Sequence, residues 1–195
     1  MSRSPDSGEG PAGSSDRSGP VQAGSKRRDS DLSPRARVHR SRSRSWALQV
    51  LYRWEAAGAE GSLVDVFHET ARLRRVAPAR VSRIMRHLER VEANLPQVDQ
   101  VLRRALDNWR LERLAVVDRS VLRLAASEML FDDEVPPLVA LQEGIRLAGQ
   151  YGGPQSPRFV NGVLDAVFRE MGAPAQEQAS ATRPGSRKSP PAPRR

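Results

Sequence analysis

Apolar residues recur along this chain at the three- and four-residue intervals of helix faces, and no window alternates apolar with polar in the manner of a strand. Residues 45–57 place Ala47, Val50, Leu51 and Trp54 on one stripe, with Ser45 as N-cap and Gly58 as stop. Ser62 caps a second helix whose apolar side is Leu63, Val66, Phe67 and Ala71. A third starts at Pro78, runs through Val81, Ile84, Met85, Leu88, Val91 and Leu95, and is expected to stop at Pro96. A fourth then covers 97–108 through Val98, Val101, Leu102, Ala105 and Leu106. Residues 111–131 are apolar around much of their circumference and belong at the centre of the fold. Asp132, Asp133, Pro136 and Pro137 break that helix, and two more follow at 138–151 and 157–171. The last carries Phe159, Val160, Val163, Leu164, Val167 and Phe168. The pattern predicts an all-α fold of about seven helices, with no internal repeat. Gly162 stands inside the last stripe; a helix-interior glycine costs about 1 kcal/mol relative to alanine, so it predicts the close approach of another helix or of a ligand.

Charge divides the 195 residues into three pieces. Residues 1–44 carry ten Lys/Arg against five Asp/Glu, residues 45–171 carry 17 of each, and residues 172–195 carry five against one. All of the net charge of +9 therefore lies in two segments rich in Ser, Pro, Gly and Arg, which bury too little apolar surface to offset the entropy of ordering. They are expected to be a disordered basic arm, 1–44, and a disordered basic tail, 172–195, around one helical domain at 45–171. The absence of cysteine excludes disulfides, thiolate metal sites and cysteine nucleophiles. No stretch approaches the ~20 apolar residues of a membrane span, and Asp6, Glu9 and Asp16 argue against a targeting peptide, so a cytoplasmic protein without membrane contact is expected. Thirty arginines against two lysines would suit phosphate recognition, but the helical segment shares the bias at ordinary surface positions, as an arginine-favouring genome would produce.

Candidate catalysis is missing. His39, His68 and His87 lie on separate segments without metal-ligand spacing, and Arg72 stands where a zincin motif beginning at His68-Glu69 needs its second histidine. The Gly152-Gly153-Pro154 run reads as a helix C-cap, and Asp132, Asp133 and Glu134 read as a solvated turn. No metal, cofactor or enzymatic activity is expected. The stretch Arg37–Trp46 is different: Arg40, Arg42 and Arg44 alternate with serine, and residues 34–46 hold no acid, which suits a flexible arm gripping phosphates as well as a merely solubilising tail. Asp118, Glu128 and Glu143 fall in or near apolar stripes and need partners. Arg119, Arg123 and Arg146 could supply them internally, or Asp118 could meet a basic partner molecule.

Taken together, WALQVLYRWE at 46–55, VDRSVLRLAASEML at 117–130, VPPLVALQEGIRLAGQYG at 135–152 and SPRFVNGVLD at 156–165 resemble the NusB family of transcription antitermination factors, in the right order over 45–168. The resemblance implies two stacked helical subdomains and a non-catalytic role: binding boxA-type single-stranded RNA of nascent ribosomal RNA leaders together with ribosomal protein NusE, within the RNA polymerase antitermination complex. It implies RNA contacts at Arg40, Arg42 and Arg44 and, near the start of the last helix, at Gln155, Ser156 and Phe159, with Tyr52 and Asp118 facing NusE. The chain departs from the family's usual VAINEA at Gln142 and Gly144. The NusB-like RNA-binding domain of some rRNA cytosine methyltransferases is a rival, but that enzyme needs a cysteine nucleophile and this chain has none. A helical protein-interaction module, or a homodimer with solubilising tails, is the remaining alternative.

Overall fold

A computed structural model describes residues 33–172; the expected disordered stretches 1–32 and 173–195 lie outside the described residues. Six α-helices and one 3₁₀ turn make up the fold, with no strand among the described residues: α1 (Pro34–Ala56), α2 (Leu63–Leu73), α3 (Pro78–Ala105), the turn Leu111–Arg113, α4 (Val116–Phe131), α5 (Pro137–Tyr151) and α6 (Ser156–Gly172). Helices α1–α3 pack on one another, α4–α6 do the same, and α4 joins the two groups by touching α1, α3, α5 and α6. Its core residues Val121, Leu122, Leu124 and Ala126 are 0–1% exposed, which is where a helix apolar on most sides must lie.

Three boundaries differ from the sequence expectation. First, α1 begins at Pro34 and not at Ser45. Ser33 is the N-cap, its hydroxyl accepting from the Ala36 N–H at 3.3 Å, and Pro34 occupies the first turn. The stretch read as an extended arm, Arg37 to Arg44, is therefore helical. Arg40 and Arg44, four residues apart, lie on its inner face. Second, α3 runs through Pro96. An internal proline costs about 3 kcal/mol, but Val91, Val98 and Leu102 are each 0% exposed, and burying each of them is worth ~1.5–3 kcal/mol, so a continuous stripe outweighs the lost bond. Two expected helices are thus one. Third, 111–131 is split, since Leu111–Arg113 forms a 3₁₀ turn and α4 starts at Val116.

The close helix crossing is at Gly144, not Gly162. A Cβ on Gly144 would stand 2.8 Å from Leu164 Cδ1 and 2.9 Å from Ala125 Cβ, so α5 is held against α4 and α6 by the absence of a side chain. A Cβ on Gly162 would meet nothing within 4 Å, and that glycine is exposed.

Candidate nucleic-acid interface

The N-terminal half of α1 lies along α3, and the helical period sorts its arginines. Arg42, Arg35 and Arg37 face outward. Arg44 is 3% exposed: its Nε donates to both Glu128 oxygens, at 3.0 and 2.8 Å, and its Nη2 to Oε1 at 2.8 Å. Glu143 lies 3.6 Å from the same guanidinium and also pairs with Arg146 at 3.3 Å. Arg44 is thus a fastener between α1 and α4, its guanidinium turned inward to Glu128 and not outward like Arg42. Glu128 takes a partner 84 residues away instead of the neighbouring arginines expected for it.

Arg40 lines a cleft of about 170 Å³ with Arg83, Arg86, His87 and Arg90, opposite Glu128, Asp132, Asp133 and Glu134. Arg90 pairs with Asp132 at 2.5 Å and Arg86 with Glu134 at 3.9 Å, whereas Arg83 forms no ion pair among the described residues. Burial, and then the charges of Arg40 and Arg86 beside it, lower the Arg83 pKa. The cleft sets five arginines, Arg44 included, against four carboxylates, and Arg83, partly desolvated and without an ion pair among the described residues, is where an anion such as phosphate would fit. His87, 5% exposed, has its pKa pushed down to about 3 by burial first and then by Arg44 and Arg90, so it is a neutral member of the cleft. Sequence reading missed Arg83, Arg86 and Arg90; their three- to four-residue spacing along one side of α3 was the available signal.

A second network is internal. Glu55, 6% exposed, accepts from the Ser120 hydroxyl at 2.9 Å and pairs with Arg119, and with Arg123 at 3.2 Å; Arg123 also holds Asp99 at 2.8 Å. Asp118 stands outside it, with Oδ1 buried and without a hydrogen-bond partner among the described residues.

The two residues expected to face a protein partner open onto different clefts. Tyr52, 48% exposed, borders an apolar groove of about 490 Å³ with Leu48, Leu73, Val117 and Tyr151. Asp118 turns the other way, towards Trp109, Gln155, Ser156 and Phe159. At the start of α6, Ser156 is 6% exposed and its hydroxyl accepts from the Gly153 N–H at 2.9 Å, so this candidate RNA contact fastens the α5–α6 turn. Gln155 is exposed and Phe159 half-buried, its ring edge-on to Trp109 with centroids 6.1 Å apart. Trp109, at 62% exposure, was overlooked in the sequence, although the polar flank of Asp107, Asn108 and Arg110 was the available signal.

The model of one protein family, described as the NusB family, matches residues 41–169. The chain belongs to the NusB family. A Sorangium cellulosum relative named transcription antitermination protein NusB is 41% identical over 135 residues, 68% of this chain and 94% of the relative. A Pseudothermotoga lettingae NusB is 43% identical over 95 residues, 49% of this chain and 67% of the relative. Among solved structures, Thermotoga maritima NusB matches with a TM-score of 0.59 at 34% identity, over 67% of this chain and 91% of that one. A complex of antitermination factors NusB and NusE with double-stranded RNA shares the fold, with a TM-score of 0.61 at 24% identity, over 68% of this chain and 98% of that one. The NusB family is one of non-enzymatic, RNA-binding transcription factors. No helix among the described residues is long and apolar enough to cross a membrane.

Proposed function

We propose that this protein is an antitermination factor that holds boxA-type single-stranded RNA of nascent rRNA leaders, together with ribosomal protein NusE, in the RNA polymerase antitermination complex. The observation that carries the reading is the α1–α3 basic face, where Arg83 makes no ion pair among the described residues, beside Arg40, and Arg42 points outward. Phosphates would seat on Arg42, Arg40 and Arg83, and the strand would continue to Gln155 and Phe159. NusE would cover the apolar groove at Tyr52, and the Asp118 oxygen, buried and lacking a donor, would suit a basic group of that partner. A solved NusB–NusE–RNA complex of the same fold supports the combination of partners.

The test is binding of a boxA-type RNA and a scrambled RNA at two salt concentrations, with and without NusE. A grip on ~3–5 phosphates gives a log-log salt slope of about −2 to −3.5. Preference for boxA that sharpens with NusE is expected. Equal, weak binding to both RNAs would leave the arginines as a charged surface and refute the reading.

A further inference from the structure

We propose that the cleft between α1, α3 and the α4–α5 turn is a binding site for a small free oxyanion of phosphate size, which staples α1 to α3 and competes with RNA for Arg83. Binding of the oxyanion needs no RNA; the competition rests on the RNA-binding reading above and adds a regulator to it.

Charge is unevenly settled in the cleft. Its walls carry five arginines against four carboxylates, one positive charge in excess. Three of the carboxylates are engaged: Glu128 by Arg44 at 2.8 Å, Asp132 by Arg90 at 2.5 Å and Glu134 by Arg86 at 3.9 Å. The fourth, Asp133, is exposed to water. Arg83 is half-buried and makes no ion pair among the described residues, and its pKa is lowered by burial first and then by the charge of Arg40 on α1. Like charges on two neighbouring helices repel, and an anion between them replaces that repulsion with attraction to both.

His87 supplies an independent observation. It lines the same cleft, four residues beyond Arg83 and so on the same side of α3, and is 5% exposed. Its Nδ1 lies 3.5 Å from Arg90 Nη1; a guanidinium only donates, so Nδ1 accepts and the ring hydrogen sits on Nε2. Nε2 is buried and has no hydrogen-bond partner among the described residues. A buried donor without an acceptor is costly, and an oxyanion, which is all acceptor, would meet it and the Arg83 guanidinium together. Size narrows the choice. The cleft of about 170 Å³ far exceeds the ~10–15 Å³ that one water needs and falls short of the ~300–1,000 Å³ that encloses a drug-sized ligand, so it suits phosphate or sulfate and not a nucleotide. A phosphodiester within an RNA strand carries a ribose on either side and meets Arg83 from the rim, whereas a free tetrahedral anion can reach the His87 donor.

The test uses the full chain, inorganic phosphate and sulfate as probes, and chloride at matched ionic strength as the control. Urea unfolding and the imidazole NMR resonances are recorded for each. Phosphate should raise the wild-type urea midpoint saturably and move the His87 Nε2–H resonance, because a ligand bound only by the folded state stabilises it. Arg83→Gln has no ion pair to lose; it should keep its midpoint in chloride and bind phosphate roughly 10- to 150-fold more weakly. Saturating phosphate should also weaken boxA-type RNA binding to the wild-type protein more than matched chloride does, and that excess should vanish in Arg83→Gln. If phosphate raises the midpoints of wild type and Arg83→Gln alike, only the general exclusion of such salts from protein surfaces is at work and the site is refuted. If RNA moves the His87 resonance and phosphate does not, the cleft is a contact for the RNA backbone, and the proposal fails while the functional reading stands. If phosphate binds without displacing RNA, the competition is refuted. If the protein binds no RNA at all, the functional reading and the competition fall together, while the urea and imidazole measurements still decide the oxyanion site.

Discussion

Arg44→Ala is the substitution that most sharply separates fastening from RNA contact. In the folded protein Glu128 is 1% exposed and receives three hydrogen bonds from Arg44, all of 3.0 Å or less. Removing the guanidinium strands a carboxylate. His87 stands 4.0 Å from Glu128, and in the intact protein its imidazole is neutral because burial, then Arg44 and Arg90, hold its pKa down to about 3. Breaking a buried pair from one side costs about 3–5 kcal/mol, a large share of the ~5–15 kcal/mol that holds a domain together. With an m-value of about 2 kcal/mol/M, the urea midpoint should fall by about 1.5–2.5 M. Arg42→Ala, on the exposed side of the same helix, should shift stability by no more than about 0.5 kcal/mol. Replacing both partners with apolar residues, Arg44→Met with Glu128→Leu, should recover most of the loss, since desolvation is then no longer opposed. An Arg44→Ala midpoint equal to that of Arg42→Ala would refute the buried-pair argument.

Other expectations follow from the same geometry. Because the unfolded state takes up a proton on His87 below its ordinary pKa of 6.5 while the folded state refuses it down to about 3, stability should be present above pH 6.5 and fall on acidification. The limit is about 1.4 kcal/mol per pH unit. His87→Phe should flatten the urea midpoint between pH 6.5 and 5, and an unchanged slope would remove His87 as the cause. Gly144→Ala should destabilise by roughly 1–3 kcal/mol despite alanine's better helix propensity, because Ala125 on the facing helix offers a Cβ that cannot rotate away; a raised melting temperature would show that the crossing has slack. Gly162→Ala should instead be neutral or stabilise by up to about 1 kcal/mol, and a loss of melting temperature would count against its open surroundings.

The all-α class, the central place of α4 and the order of elements were legible because apolar spacing within a helix is a local signal, and packing obeyed it. What was misread depended on partners remote in the chain. Arg37–Arg44 looked like a flexible arm, because nothing nearby reveals that Glu128 waits for Arg44 on another helix. Pro96 looked like a stop, because local propensity does not register that Val98 and Leu102 extend one stripe. The two glycines were legible as unusual but not as different: which one meets a neighbouring helix depends on rotational phase, and Gly144 faces inward while Gly162 faces out. The basic cleft and the Trp109 cleft are likewise tertiary objects, each assembled from segments that carry little meaning alone.

The uninterrupted α1 has a consequence for assembly. Arg42 and Tyr52 sit on the same rod, ten residues apart, hence about 15 Å along its axis. If Arg42 holds RNA and Tyr52 a protein partner, as proposed, a coiled arm would let each occupant find its own position, whereas on a rod their spacing and angular offset are machined in advance. One residue inserted between them would swing one occupant by about 100° around the other, whereas seven would restore the phase and only lengthen the gauge by ~10 Å.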